Sequence, residues 1–423
     1  MASRLPPDVL DPRFYDLLGE VPESLFDDRM YWSVELLERY AREWALEIAH
    51  RLGVPAALEA APEGGATAAG LAEALGLAPG FAYPLSWVLE QLAALGEVHA
   101  AGAPGHGPDP GPNHVRGRRF AAAGTPRPAR REPVREAVLD HGPENAPFVE
   151  LLDAAGEAWP QVVRGEVRGE EALLSPGKIG LWARFFANDN PVYALNNRLG
   201  ALAAVHRLPA EGEIRVLEVG AGAGSGSQAM VEALAAAGHL DRLATYRLTE
   251  PAGMLRRRAV RAVAGRWPQL PLAEGALDMD RPWSDPSGAA GQGVEPGSFD
   301  LVFAVNVFHV AVDLGAALRR AREALAPGGV LVLGECLRPF PGQPVAAEMT
   351  FLPLESFREV HTDPELRPHP GFLTPELWVA NLERAGFEEV EIVPDVRRLR
   401  EVYPRVAAGA VCGRRPGAAG GDR

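Results

Sequence analysis

Three apolar runs carry ionisable side chains at or near their ends. IRVLEV holds Glu218, FDLVFAVNVFH ends in His309, and VLVLGE ends in Glu335. Runs of this kind read as strands buried on both faces. Taken singly, each group has a bland explanation: a histidine satisfied by a carbonyl, or a glutamate at a loop start. His309 and Glu335 together allow a third. A carboxylate bonded to one imidazole nitrogen fixes the tautomer and stabilises the imidazolium, which suits the other nitrogen to general-base work.

Glu218 has a different setting. It lies two residues before Gly220 in VLEVGAGAGSGSQ, where Gly220, Gly222 and Gly224 let the backbone turn tightly against a ligand. Nicotinamide-binding sheets use the same glycines, but usually with an apolar residue at the Glu218 position. An acid there suits a ligand with an amine and a positive centre better than a pyrophosphate. Glu250 ends the next strand, ATYRLTE, where a carboxylate can accept both hydroxyls of a ribose.

The elements that must position these groups alternate in type. After Gly212 the chain reads as strand 214–219, helix 225–238, strand 244–250 and helix 252–265. A third strand lies in LAEGALDMD and a fourth in DLVFAVNVFH. A helix capped by Asp313 follows, then a PGG turn into VLVLGEC, a helix opening at Thr374-Pro375, and late strands in FEEVEIV and VAAGAVCG. Alternation of this kind predicts an α/β, Rossmann-like, doubly wound and mostly parallel sheet of seven strands.

As a set, E-x-G-x-G-x-G, an acid ending the next strand, LDMD after the third and PGG before the fifth resemble the class I S-adenosylmethionine-dependent methyltransferases over about residues 213–395. The resemblance implies S-adenosyl-L-methionine as cofactor and S-adenosyl-L-homocysteine as product. It implies Glu218, Gly220, Gly222 and Gly224 near the methionine moiety, Glu250 on the ribose, Asp278 and Met279 around the adenine, and Asn306 among the cofactor-binding residues. Met254 reads as packing and Asp280 as a surface acid.

A closer likeness is to the C-methyltransferase domains of polyketide synthases. It rests on NVFHVAVDLGAALRRAREALAPGGVLVLGE, with Val310-Ala311 as a departure. That likeness implies His309 and Glu335 as a catalytic pair on neighbouring strands, and a carbon α to a carbonyl, free or bound to an acyl-carrier protein, as methyl acceptor. It also implies that NPVYALNNRLGA enters the core, with Tyr193, Asn196 and Asn197 at the substrate mouth. Packing and helix capping explain those three equally well.

The N-terminal part reads differently. Residues 30–52 are an amphipathic helix, with Tyr31, Val34, Leu37, Tyr40, Trp44, Ile48 and Leu52 at three- and four-residue steps and Gly53 as its stop. Helix, turn, helix and strand follow over 67–100, with RRFAAA as a return strand: a winged-helix pattern. Its second helix, Tyr83–Leu95, has no Arg or Lys, and the net charge is −14, so nucleic acid is not an expected partner. A homodimerisation module fits better, as in small-molecule O-methyltransferases. The expected domains are 1–125, a helical linker and lid at 126–206, the methyltransferase core at 207–413 and a disordered tail at 414–423. TPRPARREPVRE is expected as a linker or surface arm, with Arg130 and Arg131 as candidates for greeting a carrier's phosphate.

No apolar run is long enough to span a bilayer and the N-terminus lacks signal-peptide character, so a cytoplasmic protein is expected. Cys336 and Cys412 make neither a disulfide framework nor a zinc spacing. Two other chemistries remain open. An O-methyltransferase acting on a phenol or enol needs only the base. A metal-assisted C-methyltransferase would use His309 and His361 for a divalent ion, with His369 nearby and Glu335 as a ligand.

Overall fold

The computed structural model describes residues 11–101, 117–284 and 292–417. The Pro/Gly-rich PGHGPDPGPNHVRG, except its last residue, and residues 418–423 of the expected tail fall outside them, whereas Arg414 ends the last strand. The chain forms two compact units.

The first unit comprises Phe26–Phe185 and Arg338–Phe372. Helix α1 (Asp28–Leu52) begins two residues before its apolar pattern, because Asp27 accepts the Met30 N–H at 2.8 Å, and it ends at Gly53 with φ 81°. Tyr40 and Trp44 are fully buried. The winged-helix pattern follows: α2 (Val54–Glu59), β1 (Ala66–Thr67), α3 (Ala68–Ala74), α4 (Ala82–Leu95), β2 (Val98–Ala101) and β3 (Arg119–Ala122). The three strands are ordered β1-β3-β2. A DNA reader would present α4, but here Leu85, Trp87, Val88, Leu89 and Leu92 of that helix are buried.

The surface arm expected after residue 124 is instead α5 (Arg131–His141), followed by α6 (Ala146–Val163). Only Val134 and Val138 are buried in α5, a stripe too thin to reveal an amphipathic helix. Arg127, Arg131 and Arg135 of this segment are engaged inside the unit, while Arg130, just before α5, is exposed. Arg127 pairs with Glu43 at 2.7 Å, Arg131 lies 4.0 Å from the Trp44 ring centroid, and Arg135 pairs with Asp153 at 3.2 Å. Arg338–Phe372 joins this unit through backbone oxygens and carboxylates: the Trp87 and Trp159 indole N–H groups donate to Val345 and Met349 carbonyls, and the Ala346 N–H donates to Glu38.

The second unit comprises Asp11–Leu25, Phe186–Leu337 and the chain from Leu373 onward. Its elements are α7 (Pro191–Arg207), β4 (Ile214–Val219), α8 (Ser225–Ala236), β5 (Leu243–Thr249), α9 (Gly253–Arg266), β6 (Leu272–Gly275), β7 (Phe299–Val305), α10 (Leu314–Ala324), β8 (Leu325–Cys336), α11 (Pro375–Arg384), β9 (Glu388–Val393) and β10 (Ala408–Arg414). The sheet order is β6-β5-β4-β7-β8-β10-β9. β6, β5, β4, β7 and β8 are parallel neighbours, and β10 runs antiparallel to both β8 and β9. This is the mostly parallel seven-stranded arrangement expected. Thr374 and Asp313 cap α11 and α10 as read from the sequence.

These units differ from the successive domains expected at 1–125, 126–206 and 207–413. Arg338–Phe372 follows the central strands yet belongs with the N-terminal helices. Asp11–Leu25 precedes those helices yet belongs with the sheet, tied there by the Glu20–Arg207 ion pair at 2.7 Å, while Arg207 also holds Glu391 at 2.8 Å.

Candidate active site

β7 and β8 are parallel neighbours, with Val305 opposite Gly334. Their ends therefore lie side by side at the carboxyl edge of the sheet, where open α/β sheets bind ligands. Beyond β7 the chain makes a single 3-10 turn, Phe308–Val310. That turn places His309 Nδ1 2.7 Å from Glu335 Oε2. His309 is 4% exposed and Glu335 fully buried. The other Glu335 oxygen accepts the Phe308 N–H at 3.1 Å. A carboxylate can only accept, so Nδ1 carries the proton and Nε2 is the basic nitrogen.

Asn306 links the same two strand ends. It has φ 53°, the left-handed region that Asn tolerates better than most residues. Its N–H donates to Gly334 O at 2.8 Å, and its Oδ1 accepts the Cys336 N–H at 2.8 Å and the Asn196 Nδ2 at 3.4 Å. Asn306 was expected on the cofactor; its oxygen accepts from two protein donors, the N–H next to Glu335 and the Asn196 amide of α7. α7 lies close over this edge because Gly334 has no side chain: a Cβ there would meet Asn196 O at 2.5 Å.

The three residues expected at a substrate mouth share α7 but not one environment. Tyr193 is half-buried and packs edge-on to Phe186 at 5.1 Å. Burial pushes its hydroxyl up to about 12, although Asn306 and Ser225 hydrogen-bond it. Asn196 and Asn197 are buried. Asn197 donates to Asn188 Oδ1 at 2.8 Å, and Asn188 donates to Ser225 O at 2.9 Å.

On the other side of β7 lies the glycine loop. Gly220, Gly222 and Gly224 all have positive φ, and a Cβ on Gly220 would meet Val307 Cγ2 at 2.6 Å. Glu218 is 2% exposed, and one of its oxygens accepts from Ser227 at 2.6 Å and from Tyr246 at 3.0 Å. Burial lifts this carboxyl to about 7 against the pull of those two bonds, and Glu250 adds to the rise. Ser227 and Tyr246 were not singled out in the sequence; a hydroxyl at the start of α8 facing a buried acid was the available signal. Glu250 accepts the Gly222 N–H at 3.0 Å and the Ala252 N–H at 2.9 Å, which holds the loops after β4 and β5 together.

Two buried acceptors converge next to this loop. Asn197 Oδ1 has no hydrogen-bond partner among the described residues. It lies 3.6 Å, and Glu218 Oε1 3.4 Å, from the point a Cβ on Gly226 would occupy. An orphaned amide oxygen beside a buried acid fits a ligand bearing an ammonium group.

The loop after β6 carries Asp278 and Met279, both half-buried. Gln292 brackets Asp278, accepting its N–H at 2.7 Å and donating to its carbonyl at 2.8 Å. Two readings of neighbouring residues are corrected. Met254 is 56% exposed and packs in no core. Asp280 is half-buried, and it accepts the Val312 N–H at 2.8 Å.

The metal reading finds little here. Among the described residues no three His, Cys, Asp or Glu side chains gather as a metal site. His361 is exposed and belongs to the first unit, whereas His309 belongs to the second. No described helix is long and apolar enough to cross a membrane.

Residues 193–392 match the methyltransferase-domain family. The chain carries a methyltransferase domain. That span contains the dyad, the glycine loop, Glu218, Glu250 and the Asp278–Met279 loop. This methyltransferase is similar to highly reducing polyketide synthase valA of Aspergillus terreus, 32% identical over 253 residues, which are 57% of this chain and 9% of that one. It is also similar to polyketide synthase PksR of Bacillus subtilis, 26% identical over 254 residues, 59% of this chain and 9% of that one. It spans less than a tenth of the length of such relatives. Among solved structures, the CurJ carbon methyltransferase has a TM-score of 0.70 at 22% identity, covering 96% of this chain and 97% of that one. The citrinin polyketide synthase CMeT domain has a TM-score of 0.67 at 17% identity, covering 98% and 100%. At such identities the likeness is one of fold, and it extends over both units.

Proposed function

We propose that this methyltransferase uses S-adenosyl-L-methionine to methylate carbon, at a position α to a carbonyl in a β-ketoacyl or similar thioester of polyketide type, carried on an acyl-carrier protein. The observation that carries the reading is the buried His309–Glu335 pair, 2.7 Å apart at the edge shared with the glycine loop. The polyketide-synthase relatives and the fold shared with carbon methyltransferases support it.

The donor supplies an electrophilic methyl group on a sulfonium. Glu218, Asn197 and the glycine loop would hold its amino-acid end, Glu250 its ribose hydroxyls, and the Asp278–Met279 loop its adenine. His309 Nε2 takes a proton from the carbon between two carbonyls, while Glu335 holds the ring and stabilises the imidazolium formed. The electron pair left on that carbon forms the new carbon–carbon bond as the donor's sulfur–methyl bond breaks. Orientation of the two reactants contributes up to about 7–11 kcal/mol to barrier lowering in such displacements. Tyr193, with its proton held to about pH 12, stands as a neutral phenol beside Asn306 at the acceptor end.

The deciding experiment offers labelled donor with a panel of β-ketoacyl thioesters and phenols, followed by location of the methylated atom. Methylation of carbon is expected. Methylation of oxygen alone would replace this reading by an O-methyltransferase.

A further inference from the structure

Asp280 read as a surface acid in the sequence, and the site described above gives it no role. Its contacts say otherwise. Its N–H donates to Asp278 Oδ1 at 3.0 Å, and its own Oδ1 accepts the Val312 N–H at 2.8 Å. Val312 lies two residues beyond the His309 turn, in which Val310 N–H bonds Val307 O and Ala311 N–H bonds Phe308 O. A second tether runs in parallel. Asp313 caps α10 by accepting the Ala316 N–H, and Arg320 of the same helix donates to Met279 O at 3.0 Å. The loop after β6 is thus bonded at Met279 and Asp280 to α10 and to the segment between His309 and that helix.

We infer that Asp280 is a positioning residue that couples occupancy of the adenine loop to the orientation of His309. This rests on the proposed placement of the donor at Asp278. A ligand that orders Asp278 orders the Asp280 N–H bonded to it, and the Asp280 carboxylate then fixes the N–H three residues after the base. The donor would thereby steady a ring that Glu335 already orients, favouring proton abstraction when a methyl group is at hand.

The test uses histidine-labelled full-length protein and S-adenosyl-L-homocysteine as the probe, with the His309 signal assigned from His309→Gln. In the wild type the probe should shift that signal. In Asp280→Ala the probe should still bind, but the shift should vanish, and kcat should fall by up to about tenfold, the cost of one such hydrogen bond. Asp280→Asn keeps an oxygen acceptor for the Val312 N–H and should restore the shift. An unchanged shift in Asp280→Ala overturns the coupling, as does its loss in Asp280→Asn with the probe bound. Failure of the probe to bind the wild type would instead sink the donor assignment.

A separate observation concerns α9. Arg257, Arg258 and Arg261 are exposed and have no ion-pair or hydrogen-bond partner among the described residues. With exposed Met254 they share one face, at three- and four-residue spacing. The helix starts three residues after Glu250, at the ligand-binding edge of the sheet. The whole chain carries a net charge of −14, so an acidic partner is repelled at long range and needs a local basic patch to dock. We propose that this face receives the acidic surface and phosphodiester of an acyl-carrier protein; guanidinium groups suit both. This proposal, too, rests on the carrier-bound acceptor proposed above.

Arg257→Glu/Arg258→Glu/Arg261→Glu should raise KM for a carrier-bound β-ketoacyl substrate at least about tenfold and leave kcat/KM on the matching pantetheine thioester unchanged. Equal losses on both substrates, or none on either, overturns the assignment. So does retention of the wild-type protein, but not the variant, on duplex DNA or anionic vesicles, with carrier kinetics unaltered. If wild type methylates neither substrate, the acceptor class fails rather than the docking face.

Discussion

Two buried histidines, one in each unit, show what separates a base from a packing residue. His309 is 4% exposed and His369 6%. His309 has the buried Glu335 carboxylate against its Nδ1. His369 stacks on Tyr83 with ring centroids 5.4 Å apart. Burial and the Arg338 guanidinium push its pKa down to about 3. Arg338 is itself buried, and it donates to Glu348 and to the Tyr83 hydroxyl. Burial is therefore nearly equal at the two rings, and the sign of the nearest charge differs. At His309 the ring N–H meets an acceptor; at His369 an arriving proton meets a cation.

The largest effect expected from that contrast is catalytic. His309→Ala should lower kcat by about 10²–10⁴-fold with affinity for S-adenosyl-L-homocysteine unchanged. His369→Ala should alter thermal stability and leave the rate on a soluble acceptor intact. A comparable loss of rate in both variants would erase the distinction. Next comes stability. Glu348→Gln removes the partner of a buried guanidinium and should cost about 3–5 kcal/mol in urea unfolding, with little change in chemistry at low temperature. Glu335→Gln keeps the shape of the dyad but loses its charge, and should slow turnover by between about tenfold and a hundredfold. Loss of folding rather than rate in Glu335→Gln would make the second pair structural as well.

The smallest effect is a pH dependence. Burial raises the Glu218 carboxyl to about 7 from an ordinary value of 4.5. Its contribution to the stability of the unliganded protein is therefore fully present below about 4.5 and lost as pH rises through about 7. An ammonium group bound beside it reverses that preference. Binding of S-adenosyl-L-homocysteine should thus release protons near pH 6, and affinity should fall by up to about tenfold per pH unit below 7. Calorimetry in two buffers of different ionisation enthalpy measures the release; none would place the amine elsewhere.

The contrast between the two histidines was legible only in part. His309 and Glu335 were visible because each closes an apolar run, and parallel strand order carried both to one edge. The glycine loop, Glu218 and the caps at Asp313 and Thr374 were local patterns, read within a few residues. His369 gave no such signal, since the Arg338 and Tyr83 beside it come from distant parts of the chain. Asp280 was missed for the same reason: its partner lies across two intervening elements. Met254 was misassigned because its spacing matches a helix stripe that here faces outward. The helix Arg131–His141 hid behind its arginines, whose partners Trp44, Asp153 and Glu157 lie on other helices.

The reversed strand has a consequence for how the protein comes into being. β10 lies between β8 and β9, so residues 408–414 supply the neighbour that β8 lacks on one side. During synthesis, the strand that presents Glu335 stays an open edge while more than seventy further residues are added. A nascent chain stalled before Ala408 would thus expose a long apolar border, suited to chaperones or to mispairing with a second chain. Completion of the sheet around Glu335 therefore waits on a strand that follows it by more than seventy residues.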